Sequence, residues 1–157
     1  RYPAEVNSAV LINTSLGGIN PFYQRLRWQN YHKIIKALLT NRHEREKLIL
    51  ALTSNNHAND LKLLADWQRW QKERPVSATS AIHQLLASSS FSACSIPEQP
   101  ILIISSSADH LVDCRCSVEL QKSWHKDYQQ HTTAGHDLPL DVPHWLLTVI
   151  SQWYQQQ

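Results

Sequence analysis

The sequence contains no methionine. A chain without one does not begin at an ordinary start codon as written, so these 157 residues are expected to belong to a longer protein. Glycine is almost as scarce: Gly17, Gly18 and Gly135 are the whole set. Three are few for a complete α/β enzyme with phosphate or oxyanion loops, and these three cannot make the Gly-x-Gly-x-x-Gly turn of a dinucleotide binder. The cysteines Cys94, Cys114 and Cys116 are odd in number and form no disulfide framework. Cys114 and Cys116 point to different faces of an expected helix with no second ligand pair nearby. They are read as bystander thiols in a reducing, cytoplasmic compartment, with no metal site. No apolar run approaches the roughly 18 residues needed to cross a bilayer, and no secretory signal precedes Pro3. Neither a membrane nor export is therefore expected. Charge of one sign is lacking too. A net charge of +2 is too small to imply nucleic acid or an anionic membrane, and the mixed signs of Arg42 to Lys47 read as a solvated helix face.

What remains is globular. Hydrophobic residues make up 42% against 18% charged, enough for one domain with a real core. Residues 6–13 form an apolar, β-branched run with Pro3 before it and Gly17-Gly18 after it. It reads as a strand buried on both faces, which needs a neighbour on each side. Four helices follow. Asn20-Pro21 starts the first as cap and first helical residue, with Trp28, Tyr31, Ile35 and Leu38 at helical spacing. Asn41 to Glu44 is a capping box opening the second. After a polar break at 53–59, Asp60 to Arg74 is the third, and Ser77 or Thr79 caps the fourth. The serines at 88–95 read as loop. Trp28, Trp67 and Trp70 lie in this helical stretch. They either fill its small core or, for Trp28 and Trp67, face a pocket beneath it.

The last third is strand, helix, strand, helix: 101–105, 112–125, 128–133 and a final helix with Asp141 as cap and Pro143 in its first turn. The expected class is α/β, a parallel sheet of three strands with right-handed crossovers. The divisions are 1–20 for the first core strand and loop, 21–95 for the helical insertion and 96–157 for the remaining core. About 75 residues of helix between two strands far exceed a normal crossover and imply a subdomain or a cover.

Function in such sheets sits at the carboxyl ends of the strands. Asp109 and His136 both fall there, one strand–helix–strand unit apart. A histidine acting as general base needs one tautomer, and a buried carboxylate on its other nitrogen imposes it. Gly135 is expected to let the histidine loop turn tightly. An acid and a histidine are two thirds of a nucleophilic triad, and no nucleophile stands at a suitable place.

The segment Ile101-Leu-Ile-Ile-Ser-Ser-Ser-Ala-Asp109-His-Leu-Val112 resembles the acid-bearing strand and loop of the α/β-hydrolase family. The segment Ala134-Gly-His136-Asp-Leu-Pro-Leu-Asp141-Val-Pro143 resembles its histidine loop and last helix. The strand Ala9 to Asn13 with Thr14-Ser-Leu-Gly-Gly resembles the strand after the nucleophile helix, and the helical insertion lies where the family carries its lid. The likeness covers the whole chain but only the second half of the family's fold. It is nearest to lid-bearing carboxylesterases of the pimeloyl carrier-protein methyl ester esterase kind. The usual glycine of the acid loop is replaced within Ser105 to Ser107, and the proline often found after Leu-Val is Asp113, which can cap a helix instead.

That resemblance implies Asp109 as triad acid, His136 as base, Leu111 and Leu138 as pocket walls, no cofactor, and an acyl ester or thioester substrate. The Gly-x-Ser-x-Gly elbow would lie upstream of residue 1. Gly17-Gly18 encloses no serine, and Ser15 lies on the wrong side. The nucleophile is therefore expected from an N-terminal half of the same protein or from another copy of the chain, and this chain alone is expected to be inactive. The alternatives are the same fold with an aspartate nucleophile for epoxides or haloalkanes, a serine-triad lyase of menaquinone synthesis, and a non-catalytic binding or scaffold protein.

Overall fold

A computed structural model describes residues 5–92 and 95–157; Cys94 lies outside them. Three parallel strands form one sheet in the order β1 (Ala9–Ile12), β2 (Ile101–Ser106), β3 (Asp127–His131). Between β1 and β2 come α1 (Phe22–Arg25), a 3₁₀ turn (Trp28–Asn30), α2 (Tyr31–Leu39), α3 (Arg42–Thr53), α4 (Leu61–Glu73) and α5 (Ala78–Ser90). Helix α6 (Arg115–Trp124) joins β2 to β3, and α7 (Leu138–Asp141) and α8 (Pro143–Tyr154) close the chain. The two ends of the helical insertion meet, Gly17 N–H donating to Phe91 O at 3.2 Å.

Strand β2 is the middle strand and every residue of it is buried. Its side chains alternate between faces, as a strand requires. Leu102 and Ile104 pack with Ala134, Leu138, Leu146 and Trp153, under α8. Ile101 and Ile103 pack with Leu16 and Leu120, under α6. Both faces are covered, so the strand reads as a continuous apolar run. The Trp153 indole N–H donates to Asp127 Oδ2 at 2.7 Å and ties the end of α8 to the start of β3.

Several expected boundaries move, each for a local reason. Strand β1 is shorter than residues 6–13, because Val6 is exposed and Asn13 turns into the left-handed region with φ 46°. The first expected helix is broken. Leu26 is extended, Arg27 N–H donates to Leu111 O at 2.9 Å, and Asn30 Nδ2 donates to His110 O at 2.6 Å. These bonds pin the segment to the loop after β2, leave Trp28, Tyr31 and Ile35 exposed, and bury Ala37 of α2 instead. Asn20 does not cap α1. Its Oδ1 accepts from Leu16 N and its Nδ2 donates to Glu119 Oε2.

Asn41, Asp60 and Ser77 do cap α3, α4 and α5, accepting from Glu44 N, Leu63 N and Ser80 N respectively. Helix α5 runs through Ser90 where loop was expected. Ser88 and Ser90 hydroxyls fold back onto Gln84 O and Leu86 O, so the serines satisfy themselves on the helix. Helix α6 begins at Arg115, with Asp113 Oδ1 accepting Arg115 N–H at 3.0 Å. The Arg115 guanidinium beside it holds the Asp113 carboxyl below its ordinary value. Among the described residues no helix is long and apolar enough to cross a membrane.

Candidate active site

Strands β2 and β3 end side by side, with Ser106 paired to His131, so the loops that follow them rise from the same edge. The first loop carries Asp109 and the second carries His136. His136 Nδ1 stands 2.8 Å from Asp109 Oδ2. Asp109 is 1% exposed. Its Oδ1 accepts two backbone N–H groups of its own loop, Leu111 at 2.7 Å and Val112 at 3.0 Å. Oδ2 is thus the acceptor left for the ring, so Nδ1 carries the hydrogen and Nε2 presents a lone pair. Among the described residues nothing hydrogen-bonds to Nε2, and the His136 side chain is 29% exposed. A fixed tautomer with an open Nε2 is equipped to take a proton from a group brought to it.

Two asparagines and one aspartate hold the loops in register. Asn13, just beyond β1, is 5% exposed. Its Oδ1 accepts Ser106 N–H at 2.9 Å, and its Nδ2 donates to His136 O at 2.6 Å. Asn55 comes from the turn after α3. Its Nδ2 donates to Ala108 O and to Thr133 O, both at 3.0 Å, so one amide spans both loops. Ser106 Oγ donates to Ala134 O across the same gap at 2.5 Å.

Asp141 was expected to cap the last helix. It is instead 7% exposed and accepts from Ser54 Oγ, from Asn55 N–H at 2.9 Å, from Asn56 N–H at 3.4 Å and from Gly135 N–H at 2.6 Å. Burial pushes its carboxyl up, and the hydrogen bonds together outweigh that and hold it below the ordinary aspartate value. Asp137 caps the short helix α7, accepting from Leu140 N–H, and α8 follows Val142 with no side-chain cap. Gly135 is required for a reason other than the expected turn. A Cβ there would meet Thr53 O at 2.6 Å and Asn55 N at 2.9 Å, and its φ is not in the left-handed region. It is the point where the end of α3 passes over the histidine loop.

The other candidates lie apart from the pair or below it. Leu111 is half-buried beside Asp109 and accepts Arg27 N–H on its carbonyl. Leu138 is fully buried in the α8 side of the core. Trp28 is 63% exposed. Trp67 lines a cleft of about 580 Å³ on the insertion together with Trp70 and Glu46. A cavity of about 720 Å³ opens at the end of β1, lined by Ile12, Asn13, Phe22, Leu26, Tyr31 and Leu85 among others. Asn13 is its link to His136.

A parallel β1-β2-β3 sheet, a helical insertion after the first strand, and an acid and a histidine on adjacent strand ends together define a partial α/β-hydrolase fold. Solved structures agree on the fold. The chain is similar to MGS-M2, an alpha/beta hydrolase enzyme from a Medee basin deep-sea metagenome library, with TM-score 0.69 and 18% identity over 100% of this chain and 59% of that one. It is similar to a thermophilic esterase from Thermogutta terrifontis, with TM-score 0.68 and 10% identity over 99% of this chain and 58% of that one. It is similar to the esterase RhEst1 from Rhodococcus sp. ECU1013, with TM-score 0.66 and 12% identity over 94% of this chain and 55% of that one. The chain thus spans less than 60% of the length of the structures it matches. No family model and no curated protein matches it.

Proposed function

We propose that this chain supplies the acid and the base of a serine hydrolase that cleaves a carboxylic ester or thioester. The observation that carries the reading is the Asp109–His136 contact of 2.8 Å with Asp109 Oδ1 already held by two backbone N–H groups. In this role His136 Nε2 takes the proton of an attacking hydroxyl and later returns it to the leaving group. Asp109 keeps Nδ1–H in place and stabilises the imidazolium formed in between. The nucleophile comes from beyond these residues, from a preceding part of the same protein or from another copy. Two facts support this: among the described residues β1 pairs on one side only, and the matched structures are longer. The cavity beside Asn13, largely apolar, suits an acyl group. A reducing, cytoplasmic setting is supported by the free thiols Cys114 and Cys116.

The test is a fluorophosphonate probe with a short-chain nitrophenyl ester as substrate. The chain alone should neither take the probe nor turn over the ester. The protein including its upstream segment should do both, and His136→Ala should abolish turnover, because a triad lacking one member loses several orders of magnitude in rate. Ester hydrolysis by the pure chain that disappears with His136→Ala would overturn the assignment of an external nucleophile. An extended protein that takes no probe would overturn the serine reading.

A further inference from the structure

We propose that Asn13 is a positioning residue for the acid–base pair, its side-chain amide setting where the His136 imidazole stands relative to Asp109. The inference rests on the acid–base reading of that pair. Asn13 lies on neither loop. It follows β1, 93 positions before Ser106 and 123 before His136. Its backbone N–H donates to Ile104 O at 2.8 Å and extends the β1–β2 ladder by one rung, so its Cα is fixed to the sheet. From that anchor the two ends of one amide work in opposite directions. Oδ1 accepts from Ser106 N–H at 2.9 Å, three residues before the acid. Nδ2 donates to the carbonyl of His136 itself at 2.6 Å and, at the long distance of 3.4 Å, to Gly135 O.

Asn13 is 5% exposed; its bond to Ser106 N–H is buried and that to His136 O is partly buried, and an amide left unpaired there is costly. An aspartate has no donor for His136 O, and an aliphatic residue has neither function. A simpler role also accounts for an asparagine here. The residue has φ 46°, and asparagine enters the left-handed region more readily than most. Glycine satisfies that backbone demand equally well and carries no amide, so Asn13→Gly separates the two roles.

The readout is the Nδ1 proton of His136, followed by proton NMR as a downfield resonance bonded to Asp109, in this chain as it stands. Asp109→Asn identifies the resonance by abolishing it. Asn13→Gly should retain a cooperative melt yet move the resonance upfield and speed its exchange with water by about tenfold, the effect of losing roughly 1.4 kcal/mol of hydrogen bonding. Asn13→Asp, which keeps the shape and the acceptor, should do the same. If Asn13→Gly fails to fold, Asn13→Asp alone decides. An unchanged resonance and exchange rate in a folded variant overturns the positioning role. Absence of the resonance from the wild-type chain overturns the acid–base reading itself.

Discussion

Replacing Asp141 by asparagine should cost stability at neutral pH and nothing in strong acid. The carboxylate accepts from one hydroxyl and three backbone N–H groups while 7% exposed. Asp141→Asn keeps the shape and turns one acceptor into a donor. If the new NH₂ faces Gly135 and Asn55, two N–H groups lose their acceptor. If it faces Ser54, the hydroxyl can rotate to accept, although Ser54 Oγ already accepts from His57 N–H at 2.9 Å. The second orientation costs less. It still converts two short charge-assisted bonds, each worth about 1.5–3 kcal/mol, into neutral ones worth about 0.5–1.5 kcal/mol. The expected loss is about 2–3 kcal/mol, which lowers Tm by roughly 4–12 °C in a domain of this size. The pH dependence has a definite sign. The folded-state pKa is depressed, so the contribution is complete above the unfolded value of about 4 and disappears as pH falls through the lower folded value. Urea unfolding followed by circular dichroism should therefore show a constant gap between wild type and Asp141→Asn at neutral pH. The gap should close as the pH is lowered below about 4. Equal midpoints at neutral pH, or a gap that survives undiminished in acid, would refute the reasoning.

Two further outcomes follow from the geometry. Gly135→Ala places a methyl group 2.6 Å from Thr53 O and 2.9 Å from Asn55 N, both backbone atoms, so α3 or the histidine loop must shift. A loss of about 1–3 kcal/mol is expected in urea unfolding, and a variant as stable as wild type would show that the crossing is loose. Cys116 is fully buried, and burial first, then the charges of Asp113 and Glu119, push its thiol up to about 12. At mildly alkaline pH a disulfide reagent should leave it intact in the folded chain and modify it in urea, whereas Cys114 is half-buried and should react first. Rapid native modification mapped to Cys116 would contradict that burial.

The contact between Asp109 and His136 was legible because both residues announce themselves locally. Asp109 follows an unbroken apolar strand, His136 follows the next one, and parallel topology brings their ends together. Helix starts at Asn41, Asp60 and Ser77 were legible for the same reason, since a cap bonds to N–H groups two or three residues away. What could not be read depends on distant chain. The stretch 53–59 looked like a polar break, yet Thr53 O, Ser54, Asn55 and Asn56 bind the histidine loop or Asp141. Asn13 looked like the end of a strand. Asp141 looked like a cap, because it precedes a helical stretch with Pro143 in its first turn. The only sequence signal for the missed residues was an excess of small polar side chains, Ser54-Asn55-Asn56, larger than a turn needs. The broken first helix had no signal at all, for it is interrupted by a carbonyl of Leu111 more than eighty residues away.

The turn after α3 also decides when the site can exist. Ser54 and Asp141 are 87 positions apart. Closing a loop of that length costs on the order of 4 kcal/mol in chain entropy before any constant is added. No single hydrogen bond of the set repays it, so the contacts at Gly135, Asn55, Asn56 and Asp137 must form together or not at all. During synthesis the insertion emerges long before its partner does. Only when the stretch from Thr133 to Asp141 has been made can the turn close over it, so the His136 loop is fixed after the insertion and the strands have been made. A nascent chain that ends before Thr133 therefore carries the turn after α3 but not the loop it binds.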